Sequence, residues 1–229
     1  MRKTVAVAEM TLRDLARRRT VVGLLFAIPL VFYLARRDHT GQAVRFLLLG
    51  LGFTVSAAGL FTTGAARSLE PRLRLAGYPT VAVYLGRLAA LLAVGLLLAM
   101  PYLLLILVDQ DLDRTHAAAL ALVATVLVGA PLGMLLGCLL GRDMEGVLLL
   151  LGMIAGQFLV DPATTTGALM PFWSSREIAT YAVDPVDVGY LRRGLAHALV
   201  TALMLGAGVV ALATVRLRQH RTSPAGRPC

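Results

Sequence analysis

The sequence has few charged residues, and this shortage excludes most soluble proteins. Of its 229 residues, 15% are charged and 58% are hydrophobic, and the mean hydropathy is +0.76. Soluble domains average about 45–50% apolar and about 25% charged residues. The apolar residues also occur in blocks rather than in amphipathic stripes. This composition excludes a disordered chain and almost any water-soluble enzyme, and it predicts a membrane protein.

Cysteine and clustered metal ligands are scarce as well. Cys138 and Cys229 do not indicate a disulfide framework. The four histidines are scattered and make no ligand pair, so we expect neither a metal nor another cofactor on this chain. A net charge of +9 would favour nucleic acid as the partner of a soluble protein. Arginines between apolar blocks are instead typical of loops on the cytoplasmic side of a membrane, and nucleic acid is not an expected partner.

Catalytic motifs are absent from the sequence. The P-loop pattern G-x-x-x-x-G-K-[ST] does not occur: residues 59–65 contain two glycines, but no lysine follows. We therefore expect no ATP site and no enzymatic activity on this chain. Asp109, Asp111 and Asp113 alternate as the metal ligands of an intramembrane transferase would. Such enzymes need two acidic clusters or a longer signature, so a solvated turn is the favoured interpretation.

Six apolar blocks approach the length of about 20 residues that a membrane-spanning helix needs. They cover residues 20–35, 44–66, 84–108, 115–140, 146–160 and 194–215. With the N-terminus inside, the inside segments hold 15 of the 22 lysine and arginine residues and the outside segments hold seven. This asymmetry predicts a multi-pass protein of the cell membrane with both termini in the cytoplasm.

The predicted domain organisation has three parts. These are an amphipathic interfacial helix at residues 1–19, a six-span transmembrane domain at 20–216 and a basic cytoplasmic tail at 217–229, expected to be disordered. The amphipathic helix has a face of Val5, Ala8, Leu12, Leu15 and Ala16, which predicts that it lies in the headgroup plane. The alternative is that it extends the first span into the cytoplasm.

Two connections between spans are too regular for simple loops. Residues 67–87 combine a charged helical start, a break at Gly77 and Pro79, and a return to apolar sequence, whereas a solvated loop would not need this pattern. Residues 161–193 are too apolar for a free loop and too rich in proline for a span. They predict short half-helices that dip back toward the membrane before the last span, with Trp173 at the interface.

The fourth block carries a regular glycine pattern. Gly129, Gly133, Gly137 and Gly141 recur every four residues, so they form one groove into which a neighbouring backbone can approach closely. We interpret the pattern as helix packing.

The polar residues within the apolar runs indicate what could supply the energy for transport. We expect only Gln157 and His197 to interrupt these runs. Because an ion-driven carrier generally needs ionisable groups near the midplane, any transport is expected to draw energy from outside the chain. A scaffold protein would lack such groups too.

The whole arrangement resembles the ABC-type exporter permeases, and more narrowly the drug- and polysaccharide-exporter superfamily. The run EPRLR at residues 70–74, followed by Gly77, Pro79 and GR at 86–87, looks like its coupling helix and the entry into span three. The run MPFW at 170–173, with Pro185 and Arg192, looks like its outer segment. The family's glutamate-arginine-glutamate-glycine-threonine run is missing.

The resemblance implies a mechanism and partners. Two permeases, either identical or homologous, would dock on two ATP-binding subunits that carry the P-loop, ATP and Mg²⁺. The coupling contact would be made by Glu70, Arg72, Arg74 and Leu75. Spans two and five would form the dimer interface and the translocation path, with walls at Phe53, Phe61, Gln157 and Phe158. So apolar a wall favours a hydrophobic or amphipathic cargo such as a lipid, peptide or antibiotic. The alternative function is a non-transporting immunity or assembly factor that binds a hydrophobic partner.

Overall fold

A computed structural model describes residues 2–140, 142–161 and 164–222, and in these ranges the regular structure is helical, with no strand. The helices are α1 Arg2–Arg17, α2 Arg19–Leu34, α3 Thr40–Ala65, α4 Glu70–Leu75, α5 Thr80–Asp109, α6 Thr115–Leu139, α7 Asp143–Leu159, α8 Thr165–Ala168, α9 Trp173–Val183 and α10 Gly189–Thr222. The predicted all-α fold is therefore confirmed.

Four of the described helices are long and apolar enough to cross a membrane. They are Gly41–Ala65, Thr80–Asp109, Thr115–Leu139 and Gly189–Thr214, and they match the second, third, fourth and sixth predicted spans. The first and fifth predicted spans correspond to α2 and α7, which have 16 and 17 residues. At 1.5 Å per residue these helices extend about 24–26 Å, less than the roughly 30 Å of a hydrocarbon core. Six spans stay a prediction.

Helices α3 and α6 form the centre of the bundle. In each of them 72% of the apolar window is buried, whereas in α10 only 11% is. Helix α6 packs against α3, α10, α9 and α5, while α7 packs mainly against α3. One side of α10 therefore packs in the bundle, while apolar residues such as Leu203 and Met204 face outward, as they would toward lipid.

The contact between α3 and α6 is made by the glycines of α6. A Cβ at Gly133 would fall on the carbonyl oxygen of Ser56, and a Cβ at Gly137 would lie 2.9 Å from a carbonyl oxygen of α3. The Ser56 hydroxyl also donates a hydrogen bond to the carbonyl of Gly129 at 3.0 Å. Because these positions have no side chain, the two backbones approach closely. Gly141 lies outside the described residues.

Both ends of the bundle have short elements. The α4 end holds α1 and α4, and the α9 end holds α8 and α9. Helix α1 packs mainly against α5 and buries Val7, Thr11 and Leu15. Of the predicted apolar face, Leu15 is buried and Val5 is 64% exposed. The position of α1 in a headgroup plane stays a prediction. Helix α10 continues into the predicted tail as far as Thr222, and residues 223–229 lie outside the described residues.

At the α9 end, Asp109 links α5 to α2. Its carboxylate accepts hydrogen bonds from the Tyr33 hydroxyl and from Arg37, whose Nε lies 3.0 Å away. Asp111 and Asp113 are exposed. In the part of the chain that the structure describes, no three His, Cys, Asp or Glu side chains come together as a metal site would require.

The segment before the last span contains α8 and α9. Helix α9 packs against α3, α6 and α10 and buries Ser174, Ser175 and Ile178. The Trp173 ring contacts His197 of α10 edge-on, with ring centroids 5.1 Å apart. The depth of this segment in a membrane stays a prediction.

Candidate functional site

Helix α4 is attached to α5 through a buried ion pair. Glu70, its first residue, accepts hydrogen bonds at Oε1 from Arg87 Nη1 at 2.7 Å and from the Tyr84 hydroxyl at 2.8 Å. The side chains of Arg87 and Glu70 are 2% and 11% exposed. A buried charge is tolerated when it is both paired and hydrogen-bonded. This pair therefore fixes the start of α4 against the first turns of α5.

The exposed residues of α4 are basic and apolar. Arg72 and Arg74 are exposed, and Leu75 is 90% exposed. Three of the four predicted coupling residues thus lie on an accessible surface. The fourth, Glu70, directs its carboxylate toward α5 instead.

Helix α1 is tied to both α4 and α5. Lys3 Nζ donates a hydrogen bond to the carbonyl of Gly77 at 2.6 Å, in the turn that follows α4, where Gly77 has a φ of +80°. Further along, a Cβ at Gly86 would lie 2.6 Å from the Thr4 carbonyl oxygen and 2.8 Å from Val7 Cβ. Glycine at that position lets α1 lie directly on α5. We call α1, α4 and residues 80–87 the coupling unit.

A cavity of about 390 Å³ opens at the α4 end between α1, α2, α3 and α7. Its wall is mainly apolar and includes Phe53 and Phe61. Asp14 and Arg18, which also line it, form an ion pair at 3.2 Å, and both side chains are more than half exposed. The cavity therefore combines an apolar interior with a charged rim, which suits an apolar or amphipathic ligand.

A second cavity of about 280 Å³ lies at the α9 end between α3, α7 and α9. It is lined by Gln42, Arg45, Phe46, Leu48, Leu49, Gln157, Phe172, Ser175 and Arg176. Arg45 forms an ion pair with Asp184 at 2.7 Å. Burial and, after it, the charge of Arg45 lower the pKa of Arg176. This cavity therefore has two arginines in its lining, one of them paired with an aspartate, whereas the interior of the first cavity is apolar.

The two cavities share the helix pair α3 and α7. On α7, Val147 lines the first cavity and Gln157 lines the second. Leu150 and Ile154, which lie between them on the same helix, are 0% and 4% exposed. The space along α3 and α7 is thus accessible at either end and filled in the middle.

The predicted path residues are divided between the two cavities. Phe53 and Phe61 line the cavity at the α4 end, and Gln157 lines the cavity at the α9 end. Phe158 belongs to α7, but its side chain lies outside the described residues.

Arg45 and Tyr84 are residues that the sequence patterns did not single out, and Arg87 was noted only as part of the GR pair at 86–87, without a partner. The expectation that only Gln157 and His197 interrupt the apolar runs is wrong, because Arg45 lies in the block 44–66 and Arg87 in the block 84–108. A charge within an apolar span is costly and needs a partner. That cost is the signal by which both arginines could have been found.

No protein-family model matches this chain, and no curated protein matches it.

Proposed function

We propose that this chain is the permease subunit of an ATP-driven exporter in the cell membrane, with ATP hydrolysis on a separate subunit. The coupling unit carries the proposal. Helix α4 exposes Arg72, Arg74 and Leu75, while its first residue is fixed to α5 by the pair of Glu70 and Arg87. A displacement of α4 would therefore move a long apolar helix rather than be absorbed by a loop.

The partner would be an ATP-binding subunit with a P-loop, which would hold ATP and Mg²⁺. An exposed leucine that follows two exposed arginines in the same short helix suits a docking site with an apolar pocket and an acidic rim. Because Lys3 binds the turn after α4, α1 would move together with α4 when the partner pushes on it.

The two cavities support transport by alternating access. Each is accessible at its own end of α3 and α7, and the buried residues Leu150 and Ile154 separate them. A movement of α7 relative to α3 would close one cavity and open the other. The apolar wall around Phe53 and Phe61 favours a hydrophobic or amphipathic cargo such as a lipid, peptide or antibiotic.

A second copy of the chain, or a homologue, would complete the transporter. Helix α7 packs mainly against α3 and leaves Met144, Leu148 and Leu159 at least 63% exposed. In the proposed six-span arrangement, with both termini in the cytoplasm, this apolar side of α7 would pack against the second permease.

Co-purification tests the docking assignment. We would isolate the tagged chain from native membranes in mild detergent and identify its partners by mass spectrometry. With the double variant R72E/R74E, the amount of P-loop ATPase that co-purifies should fall about tenfold or more. A tenfold loss of affinity corresponds to about 1.4 kcal/mol of binding free energy. R142E is the matched control, because Arg142 lies at the same end and its side chain is 84% exposed.

The outcomes of this experiment test both the function and the place of the contact. If an ATPase co-purifies with the wild type and with R142E but not with R72E/R74E, the result supports a permease that docks through α4. An ATPase that both variants retain places the contact away from α4. Recovery of the chain without any ATPase, in more than one detergent, would favour the immunity or assembly factor that binds a hydrophobic partner.

A further inference from the structure

We propose that the cavity at the α9 end is a phosphate-binding site, in which Arg45 and Arg176 hold either the headgroup phosphate of an anionic lipid or a free phosphate ion. The inference does not depend on the proposed transport. It rests on the donors that line this cavity, on its charge balance and on its position in the bundle.

The polar atoms left over around this cavity are hydrogen-bond donors. Arg45 Nε and Gln157 Nε2 are both buried, and neither has an acceptor among the described residues. The Ser175 hydroxyl, in contrast, already accepts a hydrogen bond from Thr125 at 2.8 Å. Buried donors normally have partners, and a phosphate brings several strong acceptor oxygens. The cavity therefore needs an acceptor-rich ligand rather than another donor.

Arg176 forms no ion pair of its own within 4 Å with a described neighbour. Asp161 and Glu177 act on it electrostatically, but the carboxylate of Glu177 forms an ion pair with Arg193 at 3.3 Å. Arg45, which is itself paired with Asp184 at 2.7 Å, is the second arginine of the cavity, and its charge disfavours the charged form of Arg176. An anion between the two guanidinium groups would relieve this repulsion, and guanidinium groups bind phosphate in a bidentate manner.

The position of the cavity favours a lipid as the source of the phosphate. Arg45 lies near the start of the apolar helix Gly41–Ala65, where charged side chains reach the headgroup level of a bilayer. The apolar part of the lining is formed by residues such as Leu49 and Phe172. Phe172 is held in place because Gly52 leaves room for its ring, whose Cε1 lies 2.8 Å from where a Cβ at Gly52 would be. Apolar groups beside two arginines fit the glycerol and first acyl carbons of a lipid next to its phosphate.

Native mass spectrometry of the whole purified chain tests the site. Phosphatidic acid would be the lipid probe, diacylglycerol the same lipid without its phosphate, and inorganic phosphate the free ion. R176Q should weaken phosphatidic acid binding by about tenfold, because one charge-assisted contact is lost, while R176K should recover part of it. R192Q is the matched control, since Arg192 is exposed at the same end and does not line the cavity.

The outcomes separate the two sources of phosphate. Binding of phosphatidic acid but not of diacylglycerol, weakened in R176Q and retained in R192Q, supports a lipid phosphate. Binding of inorganic phosphate that is weakened in R176Q and retained in R192Q supports a site for the free ion. If R176Q aggregates, Q157L removes an unsatisfied donor without changing the charge and should weaken the same probe. Equal binding by R176Q and R192Q, or no binding to the wild type, would overturn the proposal.

Discussion

Glu70 and Arg87 are 17 positions apart in the sequence, and their side chains meet at 2.7 Å in a site shielded from solvent. Tyr84 donates to the same carboxylate oxygen, so α4 cannot leave α5 without breaking two buried hydrogen bonds. The pair gives Glu70 a role in holding α4 that local sequence does not indicate. The exposed side of the helix remains available for a partner.

Removing Glu70 should destabilise the protein strongly. E70A leaves Arg87 buried without a partner, which typically costs about 3–5 kcal/mol. Thermal unfolding of the detergent-purified chain measures this loss. R72A changes an exposed residue of the same helix and should stay within about 0.5 kcal/mol of the wild type. Equal stability of E70A and R72A would show that the pair contributes little.

Gly133 and Gly152 should respond to alanine in opposite directions. G133A places a Cβ on the Ser56 carbonyl oxygen, so α3 and α6 must separate at a cost of about 1–3 kcal/mol. A Cβ at Gly152 meets nothing within 4 Å, and G152A should stabilise α7 by roughly 0.5–1 kcal/mol through helix propensity. Thermal unfolding of both variants tests the assignment. A stable G133A would contradict the close packing of α3 and α6.

Hydropathy alone predicts the long helices well. The predicted blocks 44–66, 84–108, 115–140 and 194–215 match the four helices that could cross a membrane to within about five residues at either end. Long apolar runs bounded by charged residues determine these limits. The glycine spacing likewise identified the packing side of α6, although not α3 as its neighbour.

Contacts between distant residues could not be predicted in the same way. Arg45 and Asp184 are 139 positions apart, and neither has a local pattern that indicates the other. The packing of α1 on α5 could not be predicted for a related reason: Gly86 of α5 makes room for α1, and a helical wheel of α1 contains no information about α5. The ion pair and the packing of α1 on α5 both depend on how distant helices are arranged in the fold, which local sequence does not determine.

Asp109 should matter for stability more than the two aspartates that follow it. D109N weakens the hydrogen bonds from Tyr33 and Arg37 that join α2 to α5, so the unfolding temperature should fall. D111N and D113N alter exposed side chains and should leave it nearly unchanged. A transferase site with three acidic ligands would instead make all three variants lose a bound metal, which elemental analysis of the purified chain would detect.

Glu177 should make stability depend on pH. Burial raises its pKa, and Arg193 opposes this only in part. The folded state therefore binds a proton more readily than the unfolded state, so the contribution of Glu177 is present below the ordinary glutamate range and is lost as pH rises through the raised pKa. In E177Q, which resembles the protonated form, this loss is absent. The unfolding temperature of the wild type relative to E177Q should therefore fall as pH rises above the ordinary glutamate pKa of about 4.3. If the unfolding temperatures of the wild type and E177Q depend on pH in the same way, the pKa of Glu177 is not raised.

Cysteine labelling in intact cells should establish the orientation of the chain. Cys138 is 5% exposed and should not react, and C229S removes the other cysteine. In that background, R72C places a thiol at the α4 end and R192C places one at the α9 end, both at exposed positions. The excess of arginine and lysine in the segments at the α4 end predicts that this end faces the cytoplasm. A membrane-impermeant maleimide should label R192C in intact cells and R72C only after permeabilisation, and the reverse pattern would contradict the orientation and, with it, docking of a cytoplasmic ATPase on α4.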